Sequence, residues 1–410
     1  MSATIRRLET RPVTAVLSRP WGPDVTELSL IAVEVEDSDG AIGHGLSWTP
    51  SIGAASVLAM LDHDIRDWAL GRPADATVIW EPLWRHLHEA GGGGVTTIAM
   101  AGLDLALWDL AATRAGAPLV DHLGRRREAV RAYGSGVNLH YPIGELVAQV
   151  ERWVAAGFHA VKVKVGGPDL AEDVRRIAAV RDVLGPDRGL MIDANQRWSL
   201  DQAVRAFDAL APFDLTWIEE PLRADDLTSH VRLRTATEQL GVPIALGENL
   251  YTRYRFAEFI DAGAVQVVQP NVVRVGGITP FLAIAELADD RAVTLAPHLL
   301  PDLSTQLALA LTRETVVEAV EDASFDELGL LAGPSPIAVE SGIARDTRQL
   351  GLGVRLAGPA GASAPVSAPA SPRSRATTTL PEASAGPESR ASSDADPARL
   401  TGALAPRPRP

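Results

Sequence analysis

The chain has 410 residues, and 46% of them are hydrophobic, enough to bury a sizeable core in one large domain or two. Cysteine is absent, which excludes a disulfide framework and thiolate metal sites. A formal net charge of −14 argues against nucleic acid or anionic membrane as partner; with no apolar run of membrane-spanning length and no apolar signal region in MSATIRRLETRPVT, a soluble cytoplasmic protein is expected.

Residues 1–125 read as an α+β domain. TELSLIAVEVEDSDGAIGHGLSW alternates apolar and polar residues around Ser38-Asp39-Gly40, the pattern of a hairpin. The small-residue stretch around Gly53 and the run Gly91 to Gly94 read as mobile loops. TTIAMAGLDLALWDLAATRAG then carries apolar residues at helical spacing and stops near Gly116. From residue 126 a short apolar run followed by a helical stretch recurs. The runs are VRAYGSG, AVKVKV, GLMIDAN, LTWIEEP, PIALGE, VQVVQPN, AVTLAPH and VVEAVE, eight in all. Eight such units over 126–334 predict an α/β fold with a closed parallel barrel; a six-stranded open sheet would leave two runs unexplained. From residue 357 to 410 the text turns to Ala, Pro, Ser and Gly, with almost no large apolar residue, and reads as a disordered tail.

The second run holds the chain's two lysines, Lys162 and Lys164; all other residues among its 38 of Lys and Arg are arginine. Arginine keeps its proton, whereas lysine loses it when burial or a neighbouring cation lowers its pKa. In a strand, positions i and i+2 point to the same side, so the two amines are expected to project together and to ease each other's deprotonation. Chemistry in such barrels sits at the C-terminal ends of the strands. Three successive ends supply Asp193, Glu219 and Glu248. One carboxylate there is explained as a favourable charge at a helix N-terminus. Three in one mouth repel one another unless a cation joins them, and all-oxygen ligands favour Mg²⁺.

The set VKVKVG, IDAN, WIEEP, LGEN and VQPNVVRVGGIT, closing with APHLLPDLS, resembles the enolase superfamily and is most similar to its mandelate racemase subgroup. GLDLALWDLAA resembles the stretch that joins cap and barrel in that family. The resemblance covers about residues 1–356 and implies a modified (β/α)7β barrel under an α+β capping domain, with 335–356 returning to the cap. It implies Mg²⁺ on Asp193, Glu219 and Glu248, Lys164 as the base that takes the α-proton of a substrate carboxylate, and Lys162 as its support. Asn195 falls at a polar mouth position. Glu318 falls where the subgroup often has an acid that hydrogen-bonds the substrate carboxylate. His298 matches the second catalytic residue, on the opposite face. Substrate specificity is expected from capping loops around Trp21 and Trp48, and assembly into a homo-oligomer is common among relatives.

One position departs from the subgroup. The residue paired with His298 is usually Asp and here is Asn271. Asn orients the ring but adds no charge, so His298 is expected to be a weaker base. The leading expectation is a Mg²⁺-dependent dehydratase of an acid sugar or related 2-hydroxy acid, which forms an enediolate and yields a 2-keto acid. A racemase or epimerase using Lys164 and His298 on opposite faces is the alternative; a non-catalytic relative with a partner-docking tail is the third reading.

Overall fold

Alternating burial along three strands builds the first layer of the structure, a computed structural model that describes residues 3–22 and 25–357. Strands β1 (Ile5–Val16), β2 (Glu27–Asp37) and β3 (Ile42–Thr49) form an antiparallel meander in that order. The expected turn closes β2 onto β3. Asp37 Oδ1 accepts from Asp39 N at 2.9 Å and Ala41 N at 3.0 Å, and Gly40 supplies a φ of +84°.

The helix Val95–Arg114 lies across this sheet. The two glycines of GHG in β3 permit the close approach: a Cβ on Gly43 would lie 2.1 Å from Ala106 O, and one on Gly45 2.3 Å from Gly102 O. Apolar residues lie on most of the helix's circumference, as suits an element that is largely buried. Its 20 residues are long and apolar enough to cross a membrane, which corrects the expectation that no run reaches that length; most of its surface is instead buried within the protein.

All eight apolar runs form parallel strands: β4 (Val130–Ser135), β5 (Ala160–Lys164), β6 (Gly189–Asp193), β7 (Leu215–Glu219), β8 (Ile244–Leu246), β9 (Val267–Val268), β10 (Thr294–Leu295) and β11 (Val316–Val320). Neighbours pair in chain order from β4 to β10, and β11 returns to pair with β4. At the remaining seam the Thr315 hydroxyl donates to Leu295 O, linking the start of β11 to β10. Seven helices intervene, from Ile143–Ala155 to Pro301–Ala310, which gives the (β/α)7β arrangement. Strong amphipathic faces and good caps mark several of them. Leu200–Leu210, for example, starts with a capping box between Ser199 and Gln202.

The chain end does two things. Strands β12 (Ile337–Glu340) and β13 (Ile343–Asp346) form a hairpin that pairs antiparallel with the first residues of β4. Beyond it, Leu352 N donates to Asp109 Oδ1 in the long helix at 2.6 Å, and Arg11 of β1 donates to Leu356 O at 3.1 Å. The proposed tail, 357–410, lies outside the described residues except for Ala357.

A second link joins the long helix to the barrel. Helix Ile278–Asp290 begins at Gly277, which has no side chain to cap it. Asp104 does so from the long helix, accepting from Thr279 N at 3.0 Å and from Thr279 Oγ1 at 2.6 Å. Trp108 Nε1 donates to the same Thr279 hydroxyl at 2.9 Å. A Cβ on Gly277 would fall 2.2 Å from Asp104 Oδ2, so glycine is required there by contact as well as by its φ of +111°.

Candidate active site

Strand register alone assembles the centre of the site. In the parallel ladders Lys164 stands opposite Asp193, and Asp193 opposite Glu219, so three ionisable residues form one row across β5, β6 and β7 at their C-terminal ends. Lys164 Nζ lies 2.5 Å from Asp193 Oδ2. Two residues earlier on the same side, Lys162 Nζ sits 2.7 Å from Glu219 Oε1 and 2.8 Å from Glu318 Oε1. Lys162 is 1% exposed and Lys164 9%, so both amines are inside the protein.

The site is rich in buried carboxylates. Asp193, Glu219, Glu220, Glu248 and Glu318 are all buried, against the ammoniums of Lys162 and Lys164. Each acid has a partner set by the fold. Glu219 Oε2 accepts from Gln269 Nε2 at 2.7 Å. Glu220 accepts from Asn249 Nδ2 at 2.8 Å and Gln196 Nε2 at 3.2 Å. Asp193 accepts from Asn195 N at 2.8 Å and Asn195 Nδ2 at 3.2 Å. Glu248 is different. Its Oε2 lies 2.6 Å from His298 Nε2, but without hydrogen-bond alignment, so this buried oxygen is left without a donor.

The backbone is bent to make these contacts. Asn195, Gln196, Glu220, Leu299 and Leu300 all have positive φ, between 40° and 63°. They follow β6, β7 and β10, where such strain turns side chains and amides inward. Leu299 N, for instance, donates to Glu318 Oε2 at 2.9 Å.

Proton affinities follow from this crowding. Burial pushes Glu219 up to about 7, against the pull of Lys162. Burial and the nearby Glu248 and Asp193 charges push Glu220 well above the usual carboxylate range. Burial acts on Glu318 the same way, but the surrounding basic groups, Lys162 foremost with His298 and Lys164, together outweigh it and hold the acid down at about 2. The lysines differ from the expectation of mutual deprotonation. Burial lowers both, yet Glu219 and Glu318 hold Lys162 well above the ordinary lysine value, and Asp193 raises Lys164. Lys162 does depress Lys164, but less than Asp193 raises it. The pull of the acids outweighs the repulsion between the amines.

The structure brings Lys162, Lys164, Asp193, Asn195, Glu219, Glu248, Asn271, His298 and Glu318 to one end of the barrel. Two of these differ in surroundings from what the sequence suggested. Glu318 spends its oxygens on Lys162, Ser135 Oγ at 2.7 Å and Leu299 N, so it braces Lys162 instead of offering an open carboxyl. Among ligand atoms, those of Glu219, Glu248 and His298 cluster within 4.8 Å of one another, while Asp193 is taken by Lys164. Of the two capping tryptophans, Trp48 is 4% exposed and packs in the hydrophobic core, and Trp21 is half-buried against the same core.

Several site residues were not found from the sequence. Gln269 precedes Asn271 by two in the same apolar run, so the strand period could have flagged it. Glu220 stood in view beside Glu219. Asn138 had no signal: it lies in the loop after β4, and its Oδ1 accepts from Lys164 N at 2.9 Å. Its own position is fixed by Gln149, which it meets at 2.8 Å, and by Arg176, which donates to Asn138 O at 2.8 Å. The glycine run of the cap also reaches this end of the barrel. A Cβ on Gly93 would lie 2.8 Å from Tyr251 Cβ, just after Glu248, so packing explains a run read as loop.

A capped (β/α)7β barrel whose strand ends gather a Lys-x-Lys pair and a row of carboxylates defines a member of the enolase superfamily. Residues 10–124 match the N-terminal domain of the mandelate racemase / muconate lactonizing enzymes, and residues 145–360 match the enolase C-terminal domain-like family. The chain belongs to the mandelate racemase / muconate lactonizing enzyme family. It is 42% identical over 294 residues to 3,6-anhydro-alpha-L-galactonate cycloisomerase of Streptomyces coelicolor, covering 72% of this chain and 81% of that one. It is 38% identical over 299 residues to L-talarate/galactarate dehydratase of Salmonella typhimurium, covering 72% and 74%. Among solved structures, L-talarate dehydratase from Polaromonas sp. JS666, complexed with Mg and L-glucarate, superposes with a TM-score of 0.80 at 34% identity, covering 87% of this chain and 96% of that one.

Proposed function

We propose that this protein is a Mg²⁺-dependent dehydratase of an acid sugar or a related 2-hydroxy acid. The observation that carries the reading is the register row Lys164, Asp193, Glu219: an amine able to take a proton, fixed beside two acids able to hold a metal. The residues fit a divalent ion. Five buried carboxylates face two ammoniums, and Glu248 Oε2 is buried with no donor. An excess of buried negative charge on oxygen atoms suits a hard cation. We assign Asp193, Glu219 and Glu248 as its ligands. His298 neighbours two of them, but its ring has a separate role argued below. When bound, the ion supplies Lewis-acid neutralisation of the negative charge that builds on the substrate's carboxylate side.

The protein's own residues do the rest. Lys164 takes the proton from the carbon next to the carboxylate. For this it must first be neutral, and Asp193 now holds its proton on. The acid that raises Lys164 is one assigned to the ion; a cation there would offset its pull on the proton, and Lys162 depresses the amine as well. Lys162, held between Glu219 and Glu318, keeps a fixed positive charge at the carboxylate end. Asn138 fixes the Lys164 backbone and Asn195 orients Asp193. The β-hydroxyl then leaves as water, taking with it the proton that Lys164 gained, and the enol so formed tautomerises to a 2-keto acid. The dehydratase activities of the relatives, on talarate and galactarate, support this substrate class.

Incubating the Mg²⁺-loaded protein with galactarate, L-talarate, galactonate and arabinonate, and assaying 2-keto acid, tests the reading. Keto acid from at least one substrate is expected. A metal-loaded, folded protein that yields no keto acid from an extended acid-sugar panel, but interconverts epimers, would make it a racemase or epimerase instead.

A further inference from the structure

We propose that Asn271 locks His298 in the neutral tautomer with its proton on Nε2, so that the imidazole meets the substrate as a hydrogen-bond donor and not as a second base. The assignment builds on the proposed function above, and it rests on the donors and acceptors around two side chains.

Asn271 is fully buried at the end of β9. Its Oδ1 accepts from two backbone amides of the following turn, Val273 N at 3.1 Å and Arg274 N at 3.1 Å. Those bonds settle which end of the amide is oxygen, because a flipped amide would set NH₂ against two N–H groups. The NH₂ end is thereby aimed at the ring, with Nδ2 at 3.2 Å from His298 Nδ1. Nδ2 can only donate, so Nδ1 must accept, and a neutral imidazole that accepts at Nδ1 carries its proton at Nε2.

The other edge of the ring faces the site: Nε2 lies 2.6 Å from Glu248 Oε2, out of hydrogen-bond alignment, and 3.9 Å from Glu318 Oε2. Placing a proton on Nδ1 as well would set two donors face to face, unless the amide flipped and gave up both backbone bonds. An Asp at 271 would reverse the pattern. Both its oxygens accept, so Nδ1 would carry the proton and Nε2 would present a lone pair to the site, as a base needs.

The consequence is stereochemical. With Nε2 already protonated, His298 cannot take an α-proton from its face of the substrate. Proton removal is confined to Lys164, while His298 donates a hydrogen bond to charge developing opposite, a role neutral imidazoles fill in other enzymes. Asn271 is thus a positioning residue that sets the enzyme against two-base racemisation.

The first test needs no substrate. The full-length, Mg²⁺-loaded protein is labelled with ¹⁵N-histidine, and the His298 ring signals are identified by their loss in His298→Asn. We expect Nδ1 to be the unprotonated nitrogen and Nε2 the protonated one, and Asn271→Asp to exchange the two. A wild-type spectrum with the proton on Nδ1, or an imidazolium, would overturn the proposal whether or not any variant folds. The second test uses galactarate and L-talarate in D₂O with Lys164→Ala. With Asn271 in place, no α-deuterium should enter either compound, and Lys164→Ala/Asn271→Asp should gain exchange by at least about tenfold over Lys164→Ala. Exchange in Lys164→Ala as fast as in the double variant would refute the tautomer's role. Because the nitrogen spectrum is independent of turnover, it decides the tautomer even if the dehydratase reading fails.

Discussion

Asp104 gives a sharp test of how cap and barrel are joined over the site. It is 3% exposed, it receives Thr279 N and Thr279 Oγ1, and no cation is paired with it among the described residues. Burial therefore pushes its carboxyl up from 3.8 to about 7, against the pull of the Thr279 bonds. A group whose folded pKa is raised contributes stability that is fully present below its unfolded pKa and is lost as pH rises through the folded one. A rise from 3.8 to about 7 corresponds to roughly 4 kcal/mol lost across that whole range, and to about 3 kcal/mol between pH 5 and pH 8. Asp104→Asn cannot titrate. Its amide oxygen can still cap Thr279 N, but its NH₂ would face a hydroxyl that already accepts from Trp108, at a cost of about 1 kcal/mol. The variant should thus be slightly less stable than wild type at pH 5 and more stable by on the order of 2 kcal/mol at pH 8. Urea unfolding of both proteins at the two pH values measures this. A difference between them that stays constant within about 0.5 kcal/mol would refute the argument that a buried, charge-unpaired acid caps the barrel helix.

Three further outcomes follow from the site and the core. Asp193→Ala, Glu219→Ala and Glu248→Ala should each weaken Mg²⁺ binding in titration calorimetry, and unchanged affinity in all three would remove the metal assignment. Lys162→Met leaves Glu219 and Glu318 facing each other without their cation; in EDTA it should lose about 3–5 kcal/mol of stability, with part of the loss recovered on adding Mg²⁺, as thermal unfolding would show. Gly45→Ala drives a methyl to 2.3 Å from Gly102 O on a helix backbone that cannot yield easily, and should lower stability by about 1–3 kcal/mol or more in urea.

Most of the barrel was legible because its signals are local. A run such as VKVKV specifies a strand by itself, and period two places Lys162 and Lys164 on one side of it. The row Lys164, Asp193, Glu219 was legible in kind, since each residue ends an apolar run, though only the ladder register shows that they stand side by side. What escaped notice depends on contacts distant in sequence. Asn138 reaches Lys164 from a loop, and Asp104 caps a helix that begins more than 170 residues later. The proton affinity of the lysine pair was only partly legible for a related reason. Spacing shows that two amines are adjacent, but their proton affinity is set by Glu219, Glu318 and Asp193, which arrive from other strands. Trp48 ends β3 beside a small-residue loop, and the sheet turns its ring into the core.

The claim that Lys164 is the base is tested most directly by replacing it with arginine, which keeps the charge and does not give up its proton. Wild type and Lys164→Arg, both loaded with Mg²⁺, would be incubated in D₂O with whichever acid sugar gives keto acid, and α-deuterium followed by NMR. Lys164→Arg should unfold at a temperature close to wild type, bind Mg²⁺, and lose α-proton exchange by about 10²–10⁴-fold. Exchange within about tenfold of wild type would show that another group removes the proton.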